Sequence, residues 1–192
     1  MRRKIAFIGA GSFGFTRNLV RDILTFEAFQ DVEIALMDIN KVNLDFIETA
    51  VRRIIEAGKY RAKLTVTMDR EEALKGADGV LITILQGGPI GFAPEIEIPE
   101  KYGVDINIGD TRGPSGIFRF LRTLHPMIEI CKSIRKCCPD AIVLNYTNPM
   151  AMLCRALQGL FPELHITGLC HSVQGTAMML ADWIGADFND IS

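Results

Sequence analysis

Gly9-Ala10-Gly11-Ser12-Phe13-Gly14 places three glycines in a G-x-G-x-x-G spacing, directly after the apolar run Ile5-Ala6-Phe7-Ile8. In that setting each glycine has a separate task. Gly9 permits a tight turn, Gly11 lets the backbone approach a pyrophosphate, and Gly14 allows a helix to pack closely on a strand. The amides near Ser12 and Phe13 then stand at a helix N-terminus, where the dipole favours anions. Asp38 follows Gly14 by 24 residues and ends a second apolar run. A carboxylate there accepts hydrogen bonds from both adenosine ribose hydroxyls and repels a 2′-phosphate, which favours NAD over NADP. The bland alternative is a plain tight turn and a surface aspartate.

Three further groups also follow apolar runs. Gln86-Gly87-Gly88-Pro89 has the glycines to pass close to a bound cofactor, or is a flexible connection. In Asn145-Tyr146-Thr147-Asn148-Pro149, Pro149 suits the first turn of a helix and Asn148 its cap; the Asn148 amide also faces any ligand over the strand ends. In Gly168-Leu169-Cys170-His171-Ser172, a thiol beside an imidazole suits a nucleophile or a metal ligand, or is structural. Gly109-Asp110-Thr111-Arg112-Gly113-Pro114 adds Asp110 and Arg112, with a solvated turn as the alternative. His125 and His165 gain no role from their positions.

The elements that must position these residues alternate in period. Strands are expected over 4–8, 32–37, 63–67, 79–85, 141–144 and 165–169. Helices are expected over 13–26, along the stripe Leu44, Ile47, Val51, Ile54 and Ile55, over 71–75, from 117 onward, over 149–158 and over 173–184. The helix from 117 presents Phe120, Leu121, Leu124, Ile128, Cys131 and Ile134 on one face. Residues 86–116 carry little periodicity and read as a long functional loop. Strand–helix alternation with continuous apolar strands predicts an α/β fold, a doubly wound parallel sheet of the Rossmann-like dinucleotide-binding kind.

Composition narrows the classes. The 192 residues are 48% hydrophobic and 23% charged, enough for a real core and against long disorder. With 21 Lys+Arg against 23 Asp+Glu, no basic surplus exists to track phosphates, so no nucleic acid partner is expected. No apolar run approaches the length of a bilayer span, and the short N-terminal run is a buried strand rather than a signal peptide. Five cysteines, an odd number without a zinc spacing, fit a reduced, cytoplasmic protein. The final residues, 185–192, read as a stop inside a larger protein.

Taken together, IAFIGAGSFGFTRNLVRDI, IALMDIN, INIGDTRGPSGIFRFLRT, LNYTNPMAM and GLCHSVQGTA resemble the NAD- and metal-dependent glycosidases, glycoside hydrolase family 4. The resemblance runs through nearly the whole chain, and NYTNPM together with CHSVQGT is its specific part. Cys170-His171-Ser172-Val173 is similar to the alpha-galactosidase version; members acting on phosphorylated sugars carry Asp where this chain has His171. The resemblance implies oxidation of sugar C3 by NAD+, loss of the C2 proton, departure of the C1 group, water addition and return of the hydride, with no net oxidation. It implies Mn2+ as a Lewis acid at the C2 and C3 oxygens. By the same resemblance, Cys170 is a metal ligand and Asn148 contacts substrate. Asp110 matches an acidic loop position near the sugar and His171 follows the ligand cysteine, which makes them the catalytic candidates. Gly9, Gly11, Ser12, Phe13, Gly14 and Asp38 hold the cofactor.

The resemblance also implies that residues 1–192 are the cofactor domain with the start of the active site. The substrate and metal domain, with a second ligand histidine and a catalytic tyrosine, is expected beyond the 22 residues that follow Cys170. A small glycoside is the expected substrate, no membrane partner is expected, and a homo-oligomer is. The sugar order is alpha-galactoside, then alpha-glucoside or alpha-glucuronide. Two other readings compete: a lactate/malate-type 2-hydroxyacid dehydrogenase, and a nucleotide-binding module without catalysis.

Overall fold

Five-residue runs such as Lys4–Ile8 and Glu33–Met37 are almost uninterrupted apolar sequence, and such runs are stable only where both faces of a strand are covered. The computed structural model, which describes residues 2–106, 109, 111–170 and 172–191, places them at the centre of a sheet. Its strands are β1 (Lys4–Ile8), β2 (Glu33–Met37), β3 (Lys63–Thr67), β4 (Gly79–Ile82), β5 (Ile142–Asn145) and β6 (His165–Gly168). Their order is β3-β2-β1-β4-β5-β6 and the paired strands are parallel. In register, Ala6 pairs with Ala35 and Val80, and Ile8 with Met37 and Ile82. The order reverses direction between β1 and β4, so the crevice beyond their carboxyl ends is where such a sheet takes a ligand.

Side chains alternate across the sheet and feed two cores. Ala6, Ile8, Ala35, Met37, Val80 and Ile82 point to one core, beneath α3 (Arg70–Leu74), α5 (Gly113–Cys137) and α6 (Met150–Leu160). Phe7, Ile34, Leu36 and Leu81 point to the other, beneath α1 (Phe13–Thr25) and α2 (Lys41–Ala57). The α2 stripe is as predicted: Leu44, Ile47 and Val51 are buried, and Ile54 and Ile55 pack against them. Asn40 caps this helix by accepting from the Asn43 amide at 3.1 Å.

Two expectations are corrected. Residues 86–116 are not one long loop. A 3-10 turn at Pro89–Gly91 leads into α4 (Phe92–Glu100), and α5 begins at Gly113, four residues before the expected start at 117. Both helices turn polar or small groups inward at this end. Glu95 of α4 is buried, as are Ser115, Gly116, Arg119 and Thr123 of α5, so apolar periodicity gives no signal there. Of the expected α5 face, Cys131 and Ile134 are buried in the core and Phe120, Leu124 and Ile128 pack against it partly, while Leu121 is exposed. The last helix, α7, spans Ser172–Ile184. Among the described residues no helix is long and apolar enough to cross a membrane.

Candidate active site

The turn after β1 is built before any ligand arrives. Gly9 has φ +87°, a left-handed conformation that favours glycine, and its amide donates to the Met37 carbonyl at 3.0 Å. A Cβ at Gly9 would stand 2.9 Å from the Ile84 nitrogen and the Thr83 carbonyl carbon, so the turn lies directly on the backbone after β4. Thr83 Oγ1 donates to the Gly9 carbonyl at 2.9 Å and Thr16 Oγ1 to the Ala10 carbonyl at 2.8 Å, which pins the turn from both sides. Gly11 then donates its amide to Asp38 Oδ2 at 2.7 Å, and a Cβ there would fall 2.7 Å from the same oxygen. Asp38 Oδ1 accepts from the Asn40 amide at 2.8 Å. Each carboxylate oxygen keeps a further lone pair for a hydroxyl donor.

These groups wall a cavity of about 500 Å³ beyond the carboxyl ends of β1, β2 and β4. Gly9, Gly11, Ser12 and Asp38 line it, with Asn40, Asn43, Arg70, Thr83, Gln86, Gly88, Pro126 and Ile130. The size is that of a small-molecule or cofactor site. Ser12 stands at the N-cap of α1 without a side-chain bond to the helix, and the first turn carries no acidic residue. The positive end of the dipole is therefore left for an anion at the cavity wall. The donor set fits a dinucleotide: amides for a pyrophosphate, a carboxylate for ribose hydroxyls, and Ile39, Ile84, Pro126 and Ile130 as apolar surface for a base.

Two of the expected cofactor residues do not face this cavity. Gly14 is exposed, and a Cβ on it would meet nothing within 4 Å, so the close packing expected of it is absent. The reason is helical phase: α1 buries Thr16, Val20 and Leu24, and Gly14 lies on the opposite side. Phe13 is also exposed, with the Arg17 guanidinium 5.5 Å from its ring centroid, and it is not among the lining residues. The lining residue Arg70 gave no sequence signal, since it reads as an ordinary helix surface; its Nε donates to Ser133 Oγ at 3.0 Å.

The ends of β5 and β6 lie side by side. Asn145, buried at the end of β5, accepts from the Thr147 amide at 2.9 Å and donates to the Thr147 carbonyl at 3.1 Å, which shapes the turn carrying Asn148. The Asn145 carbonyl also accepts from the Leu169 amide at 3.0 Å, which ties the segment leading to Cys170 to the same strand end. Asn148 is half-buried but is not the helix cap expected of it. Pro149 takes that position with extended backbone, ψ 111°, and α6 starts at Met150. Cys170 is exposed. Asp110 and His171 lie outside the described residues. Among the described residues, no three His, Cys, Asp or Glu side chains converge to hold a metal ion.

Burial separates Cys170 from other thiols. Burial pushes the Cys131 thiol up to about 12 and the Cys138 thiol up to about 11, and it raises Cys154 as well. Because the thiolate is the reacting form, a brief alkylation at neutral pH is expected to label Cys170 well before Cys131 or Cys138, as peptide mapping by mass spectrometry reads directly. Labelling of Cys131 should rise only toward strongly alkaline pH. Stability follows the same sign. It is present below the ordinary thiol value of 9.0 and is lost as pH climbs toward about 12, where the unfolded chain has ionised and the folded one has not.

Comparison with known proteins agrees with this geometry. The sequence model described as Family 4 glycosyl hydrolase matches residues 4–186. An alpha-galactosidase of Rhizobium meliloti is 42% identical over 184 residues, 95% of this chain and 37% of that protein. An alpha-galacturonidase of Thermoanaerobacterium saccharolyticum is 40% identical over 181 residues, 92% of this chain and 38% of that protein. Among solved structures, the 6-phospho-beta glucosidase of Thermotoga maritima with manganese, NAD+ and glucose-6-phosphate superposes with a TM-score of 0.81 at 26% identity. It covers 98% of this chain and 45% of that one. The chain thus spans about two fifths of the length of the curated relatives it matches. The match runs over almost every residue, with the glycine turn, Asp38 and the β5 and β6 ends all inside it, and favours this family over the hydroxyacid dehydrogenases: the chain belongs to the family 4 glycosyl hydrolases.

Proposed function

We propose that this chain is the cofactor-binding part of an NAD-dependent glycosidase, with an alpha-galactoside as substrate. The observation that carries the reading is the Gly11–Asp38 contact at the wall of the cavity, where a close backbone approach and a ribose acceptor meet. When bound, NAD+ supplies a hydride acceptor for sugar C3 and gives the hydride back at the end of the cycle. The chain's own residues bind and orient. The N-terminal end of α1, which meets the cavity at Ser12, offers its dipole to the pyrophosphate, Asp38 holds the adenosine ribose, and Thr83 and Gln86 line the way from the turn toward the β4 end.

Asn148 and Cys170, at the neighbouring ends of β5 and β6, are proposed to face the sugar. Asp110 and His171 are the proposed acid/base groups. Oxidation at C3 acidifies the C2 proton, so a single proton acceptor there suffices and two carboxylates spaced for displacement are unnecessary. Manganese is proposed by analogy with the relatives. Cys170 offers it one exposed sulfur, and the described donors do not complete a site, so no step is assigned to it. A cytoplasmic location and assembly with further copies belong to the same reading.

The test is nitrophenol release from an alpha-galactoside, with NAD+ and Mn2+ supplied and NADH followed at the same time. Release without NADH accumulation is expected, and faster release from an alpha-glucoside or a uronide would reassign the sugar. Net NADH from lactate or malate would replace the reading with a dehydrogenase. For the 192-residue chain on its own, NAD+ binding with little turnover is expected.

A further inference from the structure

The segment that leaves β4 walls the cavity through Gln86, Gly88 and Pro89, yet its backbone has little stiffness of its own. Gly87 and Gly88 take φ +86° and +55°, and glycine holds such conformations without preferring them. The segment's backbone bonds, Gly88 to Leu85 at 3.2 Å and Gly91 to Gly87 at 3.1 Å, close it on itself. Arg122 of α5 ties it to the body of the fold. Its Nε donates to the Gln86 carbonyl at 3.0 Å, and its Nη2 pairs with Glu95 Oε1. Glu95 is in turn fixed by Arg119, whose Nε and Nη2 reach Oε2 at 2.9 and 2.6 Å.

Glycines make room for this guanidinium. A Cβ at Gly87 would stand 3.0 Å from Arg122 Nε, and one at Gly91 would stand 3.1 Å from its Cζ.

We infer that Arg122 is a positioning residue for the cofactor, holding the Gln86–Pro89 wall in its binding shape by bridging the Gln86 carbonyl to the buried Glu95. The inference rests on the reading of the cavity as the NAD site. One planar fork meets both partners at once, which an ammonium cannot do at the same geometry. Without it, Glu95 keeps the Arg119 pair and the fold keeps its buried charge balance, but the wall is released and NAD+ must order it on binding.

The experiment titrates the 192-residue chain with NAD+ by calorimetry and follows thermal unfolding, for wild type, Arg122→Ala, Arg122→Lys and Gly91→Ala. Arg122→Ala is expected to raise Kd by about tenfold while Tm moves by no more than about 3 °C. Arg122→Lys should recover part of the affinity. Gly91→Ala, which presses on the guanidinium from a helical backbone, should raise Kd by about threefold. If wild type binds NAD+ and both Arg122→Ala and Gly91→Ala stay within about twofold of it, the positioning role is overturned and the cavity reading stands. A weaker Kd that comes with a matching loss of Tm, and that lysine does not relieve, also overturns it in favour of a structural role. Failure of wild type to bind NAD+ overturns both.

Discussion

Glu95→Ala is expected to destabilise the chain by about 3–5 kcal/mol, the cost of removing a buried carboxylate that two guanidinium groups share. Glu95 is 2% exposed and Arg119 4% exposed, so water does not replace the lost carboxylate at Arg119. The Arg119 guanidinium also lies 4.2 Å from the Phe92 ring centroid, so the same cluster packs α4 against α5. The loss reaches further than one pair. The Glu95 backbone carbonyl accepts from Ser115 Oγ, so α4 and the first turn of α5 are joined at this residue by side chain and main chain together. Glu95→Gln, which keeps the shape and two hydrogen-bonding atoms, should lose distinctly less. Urea unfolding of the three proteins measures the difference. An alanine variant as stable as wild type would show that the cluster is not what seats α4.

Gly9→Ala is expected to cost about 2–4 kcal/mol and to abolish cofactor affinity. Two independent penalties fall on one methyl group. The φ of +87° is one that side chains rarely adopt, and the new Cβ would lie 2.9 Å from two backbone atoms of Thr83 and Ile84. Backbone leaving a central strand, with the Thr83 amide still bonded to the Ile8 carbonyl at 2.9 Å, cannot swing aside as a side-chain tip can. Gly14→Ala makes the internal control within the same motif. It sits in α1 with open space around it, so the methyl group should stabilise the helix by up to about 1 kcal/mol. Thermal unfolding of the pair should therefore move in opposite directions, although the motif writes both positions with one letter.

That contrast shows where the sequence is legible and where it is not. The central strands β1, β2 and β4 are readable because each is a buried apolar run, and runs such as Phe7-Ile8 or Leu81-Ile82 have no other stable home. Edge strand β3, Lys63–Thr67, has no buried residue and is readable from its β-branched alternation instead. The α2 stripe is readable for the same reason as the central strands, in helical period. The G-x-G-x-x-G turn and Asp38 are readable because close approach and a ribose acceptor demand particular residue types, and the 2.7 Å bond between Gly11 and Asp38 joins them directly.

What escapes the sequence is structure held by polar cores. α4 turns a carboxylate inward and α5 opens with Ser115, Gly116 and Arg119, so both ends of the intervening segment look like solvated loop. Gly14 misleads because the spacing of glycines does not fix the roll of α1, which is set by Thr16, Val20 and Leu24. Asn148 misleads because Asn-Pro before a helix also suits a turn that ends outside it, with Pro149 extended. Arg70 is silent because lining a cavity from α3 depends on how three elements meet, and no local pattern records that.

In the proposed function, the cavity beyond β1, β2 and β4 takes NAD through Gly11 and Asp38. Calorimetric titration of the chain with NAD+ and with NADP+ tests it most directly, using wild type and Asp38→Ala. Wild type is expected to bind NAD+, NADP+ to bind at least about tenfold more weakly, and Asp38→Ala to narrow the gap by weakening NAD+. Wild type that binds neither dinucleotide, or that binds both equally, would contradict this reading of the cavity.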